Sequence, residues 1–186
     1  TMLRANAEIS TTYKKLLTHP DITITIAEAT YNGKKQTPEV IVMDGDKQLV
    51  QDVDFTVSYK DNINASESTA TVTIKGIGNY YAGKVTKIFP IDKAKAMVTF
   101  KYLYPYQLKK TYGNPNFTIR PYTEGDGTLK YYTENRKIAT VDQTTGEVTI
   151  VSAGTVRIWA RMSAGSNYKA AMDWYELIIS PKTIKN

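Results

Sequence analysis

The sequence predicts an all-β chain that folds as two successive antiparallel β-sandwiches. First, apolar residues alternate with polar ones over short runs, as they do in strands with one buried face. Second, turn-forming residues interrupt these runs about every 8 to 12 residues, a spacing typical of sandwiches. Third, a segment from the middle of the chain returns near its end, which indicates two units. The predicted organisation is a leader or the tail of an upstream module over residues 1–20, a first domain over 21–92 and a second domain over 93–186.

The repeated segment covers residues 76–94 and again residues 164–183. Each copy has a small polar loop, an apolar-rich run and a break containing proline and lysine, which predicts a loop and a closing strand. Four matches lie 88 residues apart: Asn79-Tyr80 with Asn167-Tyr168, Ala82 with Ala170, Phe89 with Leu177, and Ile91 with Ile179. Residues 71–74 also match residues 155–158, at a separation of 84. Loop insertions explain the changed spacing, because loops tolerate them better than strands do.

The first half shows the strand alternation most clearly. Ile22, Ile24 and Ile26 alternate with threonines and predict a half-buried strand. Aspartate, asparagine and glycine form turn signals between the runs that follow. Further strands are predicted at residues 40–43, 55–59 and 70–74, before the closing segment.

The second half contains a well-defined turn. Apolar residues on both sides of residues 142–146 predict two paired strands joined by that turn. Gly146 is the residue most able to take the positive φ that such a turn tends to require. The next corner falls at residues 153–155, and the alternation resumes at Val156 and Ile158.

The run VTFKYLYPYQLKK, residues 98–110, opens the second domain and has two interpretations. In the first, its even-numbered residues form the core face of a strand. In the second, the strand ends near Tyr102 and an aromatic and basic surface follows, suited to stacking sugars or meeting an acidic partner. That candidate ligand surface consists of Tyr104, Tyr106, Lys109, Lys110 and Tyr112. We expect Phe100 and Tyr102 to be buried, and Tyr106 and Lys109 to be exposed, because the proline in this run favours loops and strand edges.

Composition excludes several classes of function. The 186 residues contain no cysteine, which excludes thiol nucleophiles, thiolate zinc sites and a disulfide-linked core. The only histidine, His19, stands before Pro20 in the leader, so histidine-based catalysis and metal binding are disfavoured. The serines lack both a GxSxG turn and a histidine base. No apolar run approaches the ~20 residues of a membrane span.

The net charge of +6 is unevenly distributed. Residues 21–92 hold seven Lys/Arg against ten Asp/Glu, whereas residues 93–186 hold fourteen against seven. A basic second half could attract an acidic partner or an anionic glycan, but solvated strand faces explain the same residues. No nucleic-acid recognition motif accompanies them, so nucleic acid is not an expected partner.

Aspartates in the first half suggest a calcium site as an alternative to turns. They are Asp44, Asp46, Asp52, Asp54 and Asp61. No series of oxygen ligands continues to a bidentate glutamate at the spacing of a dedicated calcium loop. Aspartate also favours turns by accepting bonds from the following amides. We therefore predict turn residues, with no metal, cofactor or catalytic residue.

Both halves resemble immunoglobulin-like repeats of large bacterial cell-surface proteins. In the first half the resemblance covers residues 22–92 and rests on Tyr31-Asn32-Gly33, the run DFTVSY at 54–59 and GIGNY at 76–80. In the second half, residues 134–158 carry the marker of a related repeat. The resemblance implies two tandem immunoglobulin-like β-sandwich domains without enzymatic activity.

The same resemblance implies a role as a spacer or stalk in a bacterial cell-surface or secreted protein. The expected partners are the neighbouring domains of that protein, and the chain is expected to be a monomer outside the cell. The alternative is an adhesive module that binds a glycan or a host protein through loops or an exposed strand face. An exposed aromatic or apolar patch would favour the alternative, since a spacer needs none.

Overall fold

The computed structural model describes residues 13–103 and 105–183. Within these residues the chain forms strands, turns and loops, and no helix. It follows that no described segment is a helix of the length and hydropathy needed to cross a membrane. The chain divides into two compact units, Thr1–Asp92 and Lys93–Asn186. Each unit has its own cluster of buried apolar side chains. Because the described residues form strands and no helix, the predicted all-β fold class is confirmed.

The first unit contains eight of the described strands. They are β1 (Lys15–Leu16), β2 (Ile22–Ile26), β3 (Val40–Asp44), β4 (Lys47–Gln48), β5 (Phe55–Lys60), β6 (Thr71–Gly76), β7 (Tyr81–Ala82) and β8 (Lys84–Ile88). The unit contains two three-stranded antiparallel sheets, β2-β3-β4 and β5-β6-β8, and its core draws on both sheets and on segments outside them. The alternation predicted at Ile22, Ile24 and Ile26 is present, because all three side chains pack against the buried cluster.

The N-terminal leader predicted over residues 1–20 is partly wrong. Residues 1–12 lie outside the described part of the chain. The next residues, however, belong to the first unit, because Lys15 and Leu16 form a strand that pairs in parallel with β7. Leu17 then inserts into the core and is 2% exposed. Residues 15–17 are therefore part of the first unit.

The second unit contains nine of the described strands. They are β9 (Met97–Thr99), β10 (Gln107–Thr111), β11 (Phe117–Thr118), β12 (Tyr122–Glu124), β13 (Leu129–Thr133), β14 (Ala139–Val141), β15 (Glu147–Ile150), β16 (Gly154–Met162) and β17 (Ala171–Ser180). The largest sheet has the order β10-β17-β16-β13, in which β10 pairs in parallel and the other pairs are antiparallel. A three-stranded sheet, β11-β15-β14, and the pair β12-β9 complete the unit.

The sequence repeat corresponds to a repeated core. In the first unit Val72 and Ile74 on β6 are buried, together with Phe89 and Ile91 from the closing segment. Their four counterparts in the second unit are also buried: Val156, Ile158, Leu177 and Ile179. The tandem repeat predicted from sequence is therefore confirmed at the level of side-chain burial.

The pairing register differs between the two copies by two residues. Val72 pairs with Lys87, whereas the matching Val156 pairs with Leu177, the counterpart of Phe89. Because side chains alternate between the faces of a strand with a period of two, a shift of two residues keeps the same face inward. The units therefore diverge in register without changing which residues enter the core.

The turn predicted at residues 142–146 is present and joins β14 to β15. The Asp142 carboxylate accepts hydrogen bonds from the Thr144 and Thr145 amides at 2.9 and 2.7 Å. These bonds, led by that from the Thr145 amide, lower the pKa of Asp142. Gly146 has φ +76°, and a Cβ at this position would lie 2.8 Å from the Tyr131 ring. Glycine is therefore required at this position for two reasons, the backbone conformation and the packing of a buried tyrosine.

We expect Gly146→Ala to destabilise the second unit more than Gly45→Ala destabilises the first. Gly45 also has a positive φ, +56°, but no atom lies within 4 Å of its ideal Cβ. Its substitution costs only backbone strain, about 1 kcal/mol. At Gly146 the displaced Tyr131 ring adds an overpacking cost of roughly 1 to 3 kcal/mol. Chemical denaturation of both variants measures the difference, and equal costs would contradict the packing role of Gly146.

Candidate functional site

The strand that opens the second unit ends before the residues predicted to extend it. Strand β9 ends at Thr99, and the amide of Leu103 donates a hydrogen bond to the Phe100 carbonyl at 2.8 Å, which closes a turn. Phe100 is 2% exposed and packs edge-on against Tyr175, with ring centroids 4.9 Å apart. Tyr102 is 82% exposed. The predicted burial of Phe100 is confirmed and that of Tyr102 is wrong, because the turn ends the alternation on which it rested.

The candidate residues beyond this turn lie along the edge strand β10. Tyr104 lies outside the described residues. Tyr106 and Lys109 are exposed, as predicted. Tyr106 and Tyr112 stand at opposite ends of β10, which places them roughly 20 Å apart at the rise of an extended strand. The two tyrosines therefore cannot form one compact stacking site.

The two lysines of this strand also separate. Lys109 pairs with Ile178 and lies on the exposed face of β10, whereas neighbouring Leu108 packs against the core. Lys110 has the opposite orientation to Lys109, and its Nζ lies 4.7 Å from the Phe117 ring centroid. The structure thus distributes the predicted surface over two faces of one strand, and a compact ligand would not contact all of its members.

A different set of aromatic and basic residues is assembled on the four-stranded sheet. We call its solvent side the outer face; its members alternate along the strands with buried residues such as Tyr131, Ala160 and Tyr175. The pairing register places Tyr132, Trp159 and Trp174 side by side on β13, β16 and β17. We call these three residues the aromatic row.

Cations flank the aromatic row on both sides. The guanidinium of Arg157 lies 4.4 Å from the Trp174 ring centroid, and that of Arg161 lies 5.8 Å from the Tyr132 ring centroid. The two indole rings are 6.0 Å apart at an interplanar angle of 46°. Such cation–π contacts contribute about 0.5 to 1 kcal/mol each at exposed sites and hold the side chains in defined positions.

The outer face carries more positive than negative charge. Its cations are Lys109, Lys130, Arg157 and Arg161, and its carboxylates are Glu176 and Glu134. Glu176 accepts a hydrogen bond from Gln107 at 2.8 Å, and Arg157 forms an ion pair with Glu134 at 3.5 Å. The arrangement can therefore attract an anion and present rings and alkyl groups beside it.

The alternation predicted from the sequence ends at Ile158, so that prediction does not include the outer face. The continuation Arg157-Ile158-Trp159-Ala160-Arg161 alternates polar or aromatic residues with apolar ones and shows which residues point outward. The contribution of Tyr132 could not be found in this way. Its place in the row depends on the register between β13 and β16, which no local pattern specifies.

Two of the aspartates considered as calcium ligands accept hydrogen bonds from other groups of the first unit. Asp54 is buried and accepts a hydrogen bond from the Val50 amide at 2.9 Å. Asp44 accepts hydrogen bonds from Lys15 Nζ at 2.5 Å and from the Tyr81 hydroxyl at 3.0 Å. Lys15 also contacts Asp21 at 2.8 Å. These contacts link strand β1 to the rest of the first unit.

Comparison with known proteins identifies the type of domain. Residues 121–164 match the family model described as the intimin immunoglobulin-like domain. These residues contain the turn at Gly146 and most of the aromatic row. No curated protein matches the chain. One similar solved structure is the crystal structure of human mucin-like protocadherin EC1-2, with 10% identity, a TM-score of 0.33, and coverage of 86% of this chain and 99% of that one.

The match and the fold together confirm the resemblance to bacterial immunoglobulin-like repeats, with β-sandwich architecture. The matched residues lie entirely within the second unit. For the first unit, the same architecture is evident from its two packed sheets and from the repeated core positions.

We expect Phe100→Ala to destabilise the second unit by about 3 to 5 kcal/mol, because it leaves a cavity beside Tyr175. The matched variant is Tyr102→Ala, two residues away but on the exposed turn, which should change stability by less than about 0.5 kcal/mol. Thermal and urea unfolding of both variants tests the boundary between core and surface at the end of β9. A large cost at Tyr102 would place that ring in the core after all.

We expect Lys15→Met to reduce the stability of the first unit at neutral pH but much less in acid. Lys15 lowers the pKa of Asp44 and of Asp21, chiefly by hydrogen bonding. A carboxyl group with a lowered folded pKa stabilises the fold above its unfolded pKa, and that contribution is lost as the pH falls below about 4.

The measurement is the difference in melting temperature between wild type and Lys15→Met from pH 7 to about pH 3. The difference should shrink across this range as the two carboxylates become protonated. Lys35→Met, which removes an exposed lysine from the same unit, is the control and should show no such trend. A Lys15→Met difference that is independent of pH would mean that the lysine acts through packing alone.

Proposed function

We propose that the chain is a non-enzymatic structural segment of a bacterial cell-surface protein, in which it spaces or presents other modules outside the cell. The observation that supports this most directly is the match of residues 121–164 to the immunoglobulin-like domain of intimin. Self-contained cores in both units fit the same role, because a spacer must fold without help from the modules that it separates. Its partners would be the neighbouring domains of the same protein, and the chain itself would be monomeric.

Replacement within the parent surface protein tests this role. In one variant the chain is deleted, and in the other it is replaced by two immunoglobulin-like domains of unrelated sequence. A spacer role predicts that antibody access to the neighbouring module on intact cells falls after deletion and is restored by the replacement. Failure of the replacement to restore access would show that the particular surface of this chain is needed, which contradicts a role as a spacer alone.

An adhesive role is the second candidate, and one observation favours it. The outer face presents the aromatic row and an excess of cations on an open sheet, features that a spacer does not require. The loop surface predicted from sequence supports adhesion less well, because its lysines lie on opposite faces of β10. Adhesion by the chain would still be measurable after deletion of the neighbouring modules, whereas a spacer has no measurable effect once the modules that it separates are absent.

A further inference from the structure

A shallow depression of about 720 Å³ lies at one end of the outer face, next to the aromatic row. Strands β13, β16 and β17 and the chain segments that continue from them form its walls. The lining side chains that bear on the argument are Thr128, Lys130, Tyr132, Arg161, Ser163 and Met172. The register explains how these residues meet, because Lys130 pairs with Arg161 and Arg161 pairs with Met172.

The depression is positively charged. Lys130 and Arg161 line it side by side on adjacent strands, and no carboxylate is among its lining residues. Within residues 13–103 and 105–183, neither cation forms an ion pair, whereas Arg157 on the same face is paired with Glu134. Two adjacent unpaired cations favour the binding of an anionic group, since each can donate charge-assisted hydrogen bonds.

The remaining lining groups suit a sugar ring. Tyr132 provides an aromatic ring next to the cations, and the guanidinium of Arg161 lies 5.8 Å from its centroid. Met172, 58% exposed, offers a flexible apolar surface on the opposite side. The Ser163 hydroxyl oxygen accepts a hydrogen bond from the Thr128 amide at 3.0 Å, so its hydrogen is oriented to donate elsewhere. Apolar, hydroxyl and cationic groups thus surround one small volume.

We propose that this depression is a binding site for an acidic polysaccharide. A sugar ring would rest against Tyr132 and Met172, and its carboxylate or sulfate group would lie between Lys130 and Arg161. An acidic peptide would satisfy the two cations, but it would leave the aromatic ring and the hydroxyls without matching groups. An added β-strand would instead pair with the backbone of β13, the edge of the sheet, and would not require the ring and the cations on its face. The site is independent of the spacer role, since it requires only the folded second unit.

The chain contains its own optical probe for this site. Its only two tryptophans are Trp159 and Trp174, both in the aromatic row on the outer face. Titration of the full chain with polygalacturonate, a carboxylated polysaccharide, should therefore change tryptophan emission in a saturable way. The affinity should fall as salt is added, because the carboxylates displace counterions from the cations. Fully methyl-esterified polygalacturonate has the same backbone without the charge and should bind at least about tenfold more weakly.

Substitutions of the lining residues test whether binding takes place in the depression. Arg161→Gln and Lys130→Gln should each weaken polygalacturonate binding about tenfold, the effect of losing one charge-assisted bond. Lys137→Gln removes the same charge from a loop of the same unit and should change the affinity less than about twofold. Tyr132→Leu keeps the charge and the apolar character, and it should weaken polygalacturonate binding while leaving any binding of poly-L-glutamate unchanged. The melting temperature of each variant verifies that the second unit remains folded.

Three outcomes would overturn the proposal. One is the absence of a saturable response to both polygalacturonate and dextran sulfate, which carry the carboxylate and sulfate alternatives. Another is poly-L-glutamate binding as tightly as polygalacturonate, which would indicate an acidic protein partner instead. The third is an equal loss of affinity in Lys137→Gln and Arg161→Gln, which would show that net charge alone explains the binding. None of these outcomes bears on the replacement experiment in the parent protein, so the site and the spacer role can fail separately.

Discussion

The inward-facing side chains of β16 set the arrangement of the second unit, including its surface. Val156, Ile158 and Met162 are buried on one face of this strand. Each such side chain contributes roughly 1.5 to 3 kcal/mol through burial, so exposing all three would cost roughly 5 to 9 kcal/mol. That is comparable with the whole stability of a domain, about 5 to 15 kcal/mol. A shift of one residue in register is therefore excluded, because it would turn this face toward water.

The outer face follows from the same constraint. Once the even-numbered residues of β16 point inward, Arg157, Trp159 and Arg161 must point outward, and the antiparallel pairings align them with Tyr132 and Trp174. Each cation–π contact on this face contributes less free energy than the burial of one core side chain. These contacts could therefore not specify the register by themselves. The core thus positions an array of rings and charges on the surface, and substitutions on the outer face can change binding without changing the fold.

Local sequence patterns predict the structure correctly wherever interactions between neighbouring residues determine it. Residues 142–146 contain both an aspartate that accepts amide hydrogen bonds and a glycine that takes a positive φ, so the turn was predictable. The repeat was predictable because a closing strand must supply the same buried side chains in each unit. The exposure of Tyr102 was not predictable, because the alternation continues in the sequence beyond Phe100, whereas in the structure a turn interrupts it. Leu17 and Tyr132 depend on pairing with strands distant in the sequence, which a single strand's pattern does not encode. The sequence therefore predicts a ligand surface on one continuous run, whereas the structure assembles the aromatic row from three strands.

Each unit closes a core of its own, and the description of the chain as two repeated sandwiches depends on this property. It is tested most directly by preparing residues 13–92 and 93–183 as separate proteins and following their unfolding by near-ultraviolet circular dichroism. Two self-contained cores predict that each fragment shows a native-like aromatic spectrum and one cooperative transition. The second fragment contains both tryptophans, so its transition can also be followed by fluorescence. If either fragment lacked a cooperative transition, its core would need residues from the other unit, and the account of two repeated sandwiches would be contradicted.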